Sequence, residues 1–79
     1  MDIEKTLERF IVDELLLGKR ASIGVDESLI GSGILDSLTL LELIAFVEKR
    51  FNLQVADSEM VPDNFKTISR IKTFIETRA

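Results

Sequence analysis

Seventy-nine residues are too few to bury two separate cores, so the chain is expected to form one domain spanning 1–79. Apolar residues make up 46% and charged residues 30%, which suits a water-facing globule with a filled interior. Histidine and cysteine are both absent. That removes Ser-His and Cys-His catalysis, disulfides, and thiolate or imidazole metal sites, so no catalytic or metal-binding residues are assigned. No apolar stretch approaches membrane-spanning length and no leader-like segment opens the chain, so a cytoplasmic protein without membrane insertion is expected.

The net charge of −4 is unevenly spread. Residues 1–20 sum to −1, residues 21–65 to −6, and residues 66–79 to +3. An acidic centre disfavours nucleic acid and favours basic protein partners, against the blander alternative of a solvated acidic face.

A first helix is predicted from about Asp2 to Leu17, capped by Asp2 and carrying Ile3, Leu7, Phe10, Ile11 and Leu15 on one stripe. Gly18 ends it, with Lys19 and Arg20 at the negative end of the helix dipole. Residues 18–35 then form a long connection pinned to the core by Ile23, Val25, Leu29, Ile30, Ile34 and Leu35. Asp26 is expected to start a single helical turn within it.

A second helix is predicted from Asp36 to about Phe51, with a core stripe of Leu40, Leu43, Ile44, Val47 and Phe51. Phe51, Val47 and Leu43 are expected to pack on Phe10, Ile11 and Phe74. Leu38, Leu41 and Ala45 form a second apolar row, which is either buried more deeply or serves as a docking surface. Asp57 to Met60 is predicted as a short helical turn closed by Pro62. Thr67 caps a last helix bearing Ile68, Ile71, Phe74 and Ile75. No segment alternates with period two, so the fold class is all-α: a small bundle of three longer helices and one short one around a long first loop.

The chemistry-bearing stretch is Gly33-Ile34-Leu35-Asp36-Ser37-Leu38. Asp36 as N-cap puts Ser37 at the first helical position, where a phosphodiester would meet the positive end of the helix. No base stands nearby in sequence, so Ser37 is better suited to modification by another enzyme than to nucleophilic catalysis. Asp-Ser-Leu alone is also what a plain helix start looks like. A Gly-Asp-Ser-Leu hydrolase shares these letters, but Leu35 stands where its glycine would be, and the base is missing.

In its order of elements, and in Gly33-x-x-Asp36-Ser37-Leu38, Glu42-Leu43, the closing Phe51 and Asn64-Phe65-x-Thr67-Ile68, the chain resembles the acyl and peptidyl carrier protein family over nearly its whole length. The resemblance implies an antiparallel four-helix bundle, with 4'-phosphopantetheine from coenzyme A attached at Ser37 and Asp36 as the flanking acid that helps a phosphopantetheinyl transferase position its metal and coenzyme A. The arm's thiol would hold acyl or aminoacyl groups as thioesters for a loading ligase and downstream transferases or synthases. Leu38, Leu41, Glu42, Ala45 and Glu48 match the family's partner-facing row, and a monomer is expected. Thr39, Ala45 and Lys49-Arg50 depart from the pattern of fatty-acid synthesis carriers, which place an acid, a larger apolar residue and a run of acids there. That departure suits a specialised pathway. The alternative is an unmodified, carrier-like interaction module.

Overall fold

The computed structural model describes residues 2–78. Helix α1 runs from Ile3 to Phe10, α2 from Ser37 to Phe51, α3 from Pro62 to Phe65 and α4 from Ile68 to Arg78. Among the described residues there is no strand, and no helix is long and apolar enough to cross a membrane.

Asp2 caps α1, its carboxylate accepting from the Lys5 amide at 3.1 Å. The predicted straight helix to Leu17 is not what forms. Residues Ile11–Leu15 widen into a π-turn, with the Leu16 amide reaching the Ile11 carbonyl at 2.8 Å. A regular helix cannot turn three consecutive leucines, Leu15 to Leu17, toward one core. The wider turn keeps Leu15 and Leu16 half-buried and expels Leu17, which is 75% exposed. Leu17 itself already adopts the left-handed conformation (φ 53°), one residue before Gly18 (φ 75°).

One core joins all parts: Leu7, Ile11 and Val12; Leu43, Ile44 and Val47; Phe65; Ile68, Ile71, Phe74 and Ile75; and Ile23, Leu29, Leu35 and Val55 from the connections. Phe51 and Phe10, expected at its centre, are only half-buried. Phe51 lies at the end of α2 with the Arg50 guanidinium 5.7 Å from its ring, while Phe10 stacks on Phe46, ring centroids 4.0 Å apart. The fully buried aromatic is Phe65, which meets Phe74 at 5.6 Å.

The first connection is tied down by backbone as much as by side chains. The Leu29 amide donates to the Lys66 carbonyl (2.8 Å), and the Ser69 amide to the Val25 carbonyl (2.9 Å). The Ile23 amide donates to the Glu8 carboxylate at 2.7 Å. Val25 is therefore held by its carbonyl, and the residue is 39% exposed rather than in the core. Asp26 starts no helix; Glu27 organises a tight turn instead, accepting from the Gly24 amide and pairing with Arg20. Residues Asp57–Glu59 form a 3₁₀ turn, and Pro62 opens α3 as its first residue instead of only closing that turn. Thr67 receives the Arg70 amide at 3.1 Å, as a cap for α4 should.

Candidate functional site

The entry into α2 is built by three devices. Leu35, 3% exposed, anchors the chain in the core two residues before Ser37, and its amide closes onto the Leu29 carbonyl at 2.8 Å. Gly33 supplies a left-handed residue (φ 84°) that turns the chain toward the helix. Gly31 fits a turn in which an added Cβ would lie 2.8 Å from the Ser28 hydroxyl oxygen.

Asp36 and Thr39 then cap α2 reciprocally. The Thr39 amide donates to Asp36 Oδ1 at 2.9 Å, and the Asp36 amide donates to Thr39 Oγ1 at 2.8 Å. Thr39 Oγ1 also lies 3.0 Å from Asp36 Oδ1, within donating distance. The Thr39 amide first, and then its hydroxyl, hold the Asp36 carboxyl below the usual carboxylate range. Asp36 is thus an anion across the neutral range, turned onto its own helix.

Ser37 is the first residue of α2 and is exposed. Its hydroxyl stands where helix amides and the dipole favour a phosphate. An exposed hydroxyl on a rigid, capped helix start fits a bulky phosphodiester, because nothing in the core must move to receive it.

The partner-facing residues expected from the sequence divide in two. Leu38 and Leu41 are 66% and 56% exposed, and Glu42 and Ala45 are exposed beside them. The second apolar row is therefore a surface and not a deeper layer of core. Glu48 is different: it is half-buried, and its Oε2 accepts from the Val55 amide at 2.9 Å. Its carboxylate is committed to holding the connection after α2. Phe46, which the sequence pattern did not single out, sits between this surface and α1, stacked on Phe10. With Lys49 and Arg50 it lines a shallow recess.

Comparison with known proteins agrees with this geometry. The phosphopantetheine attachment site family matches residues 6–75. A D-alanyl carrier protein of Streptococcus pyogenes serotype M5 (strain Manfredo) is 37% identical over 76 residues, covering 96% of this chain and 94% of that protein. A D-alanyl carrier protein of Streptococcus suis (strain 05ZYH33) is 37% identical over 71 residues, covering 90% and 87%. A solved chain described as the crystal structure of an FAD-dependent dehydrogenase superposes with a TM-score of 0.80 at 26% identity, covering 87% of this chain and 97% of that one. The chain belongs to the phosphopantetheine-dependent carrier proteins, which hold biosynthetic intermediates as thioesters on a covalently attached 4'-phosphopantetheine arm.

Proposed function

We propose that Ser37 is the residue that bears the arm, that the cargo is an aminoacyl group, and that the chain is a single carrier domain working in the cytoplasm as a partner of enzymes and not as one. The observation that carries the attachment site is Ser37 itself, exposed at the first position of a reciprocally capped helix. The aminoacyl reading is supported by relatives named for a D-alanyl cargo at 37% identity.

In arm attachment, the Ser37 oxygen forms a bond to the phosphorus of coenzyme A that bears the pantetheine, and adenosine 3',5'-bisphosphate leaves. The chain has no histidine, and the Asp36 carboxylate faces Thr39, so the hydroxyl proton goes to a base on the transferase. Once attached, the arm supplies the thiol that this cysteine-free chain lacks. The chain's own contribution is to hold the attachment point rigid and to offer Leu38, Leu41, Glu42 and Ala45 to the transferase, the loading ligase and downstream enzymes.

Intact-mass measurement tests this after incubation with coenzyme A, magnesium and a broad-specificity phosphopantetheinyl transferase. The mass rises by one phosphopantetheine unit, and Ser37→Ala, still folded, stays unmodified. Adding D-alanine, ATP and an adenylate-forming D-alanine ligase then yields a hydroxylamine-labile alanyl adduct on the modified form alone. Modification persisting in Ser37→Ala would displace the site. An unmodifiable wild type would leave an interaction module without an arm.

A further inference from the structure

On α2, at about 100° per residue, Leu38, Glu42, Ala45 and Lys49 fall within a sector of about 60° facing away from the core. All four are exposed. Glu42 and Lys49 are separated along the axis by about 10 Å, with Ala45 between them. Among the described residues Lys49 forms no ion pair, and Arg50, about 100° further round the helix, lies over the Phe51 ring and outside this sector. The carboxylate that sequence spacing would set next to them, Glu48, is instead held by the Val55 amide. Along the axis the strip therefore runs from apolar Leu38 beside Ser37 to acidic Glu42, small Ala45 and basic Lys49, with Leu41 on its flank.

We infer that this strip docks a partner protein of opposite polarity: an apolar surface that receives Leu38 and Leu41, with a cationic side chain facing Glu42 and a carboxylate facing Lys49. The inference rests on the docking role proposed above for the exposed row of α2 and deepens it by naming the partner's charge pattern. Two opposite charges at fixed spacing select an orientation as well as a partner, because reversing the partner brings like charges together at both positions. Orientation matters here, since Ser37 must face the partner's reaction centre. Ala45, small and central, lets the partner approach closely between the two charges.

The test is an amide NMR titration of the unmodified protein with three synthetic helical peptides. They share one leucine face and differ only at the rim: lysines at one end and glutamates at the other, lysines throughout, or glutamates throughout. The bipolar peptide shifts the amides of Leu38, Leu41, Ala45 and Lys49 and binds about threefold tighter or more than either uniform peptide, an advantage that salt removes. Lys49→Glu moves the preference to the lysine peptide, and Glu42→Lys moves it to the glutamate peptide. Both variants change exposed residues, and their spectra report directly whether they are folded. Equal or better binding of a uniform peptide to the wild type would overturn the inference, as would no shift along the strip with any peptide at millimolar concentration. Neither result touches the mass test of Ser37, so the two readings fail separately.

Discussion

Asp36 and Thr39 hold each other at the start of α2: each backbone amide donates to the other's side-chain oxygen, at 2.8 and 2.9 Å. Asp36 thus stabilises the helix that presents Ser37, and does so as an anion. Its carboxyl is held below its ordinary value, so its contribution is fully present above about pH 4 and is lost as pH falls through the lowered folded-state value. Thermal melts of Asp36→Ala should lie below wild type at neutral pH and converge on it in strong acid. Thr39→Val should cost about 1 kcal/mol, a fall of roughly 4–8 °C in a domain this size. Thr39→Ser should recover most of that loss. A gap between wild type and Asp36→Ala that stays constant into strong acid would mean the carboxylate charge is not what caps the helix.

Glu48 and Glu42 lie six residues apart on one helix but in different settings. The first accepts from the Val55 amide in a half-buried setting, and the second is exposed. Glu48→Ala should destabilise the fold by about 1.5–3 kcal/mol, the usual range for a hydrogen bond to a charged group. Glu42→Ala should stay within about 0.5 kcal/mol of wild type. Hydrogen exchange at the Val55 amide should accelerate in the first variant only. Protection of Val55 unchanged in Glu48→Ala would show that another group holds that amide.

Phe65 is fully buried while Phe51 is half-exposed to solvent at the helix end. Truncating Phe65 to alanine should cost about 3–5 kcal/mol, enough to unfold much of so small a domain. Phe51→Ala should cost less, because part of that ring already faces water. Urea denaturation of the two variants checks the order, and a larger loss for Phe51 would contradict the packing described above.

The helices with clear apolar periodicity, α2 and α4, were legible in the sequence because a single stripe explains Leu43 and Val47, or Ile68, Ile71 and Ile75. Asp36 and Ser37 were legible because capping chemistry is local and needs only a few neighbouring residues. What escaped depends on contacts far apart in the chain. Phe65 lies in a four-residue helix too short to show a period, and Phe46 is half-buried with Phe10 of α1 stacked on its ring. Glu48 reads as one more surface acid until the chain after Phe51 folds back and brings the Val55 amide to it. The π-turn at Ile11–Leu15 settles a conflict between local helix propensity and the placement of three leucines, and no window of sequence contains both sides of that conflict.

The last prediction concerns the pathway: this carrier should serve poorly in housekeeping fatty-acid elongation. Lys49 and Arg50 are both exposed at the end of α2, and the nearest acid in sequence, Glu48, forms an ion pair with neither, its carboxylate accepting from the Val55 amide. The family resemblance implies that enzymes of that pathway meet their carriers with basic patches. Like charges facing each other across an interface can cost several kcal/mol. Ala45, where those carriers keep a larger apolar side chain, also gives up contact worth about 0.8 kcal/mol per buried methylene. A reconstituted fatty-acid synthase supplied with the modified protein as sole carrier should therefore elongate slowly. Lys49→Glu with Arg50→Glu should restore part of the rate, and the restoration should shrink as salt screens the charges. Elongation by the unchanged protein at the rate of the synthase's own carrier would show that the basic end of α2 does not discriminate between pathways.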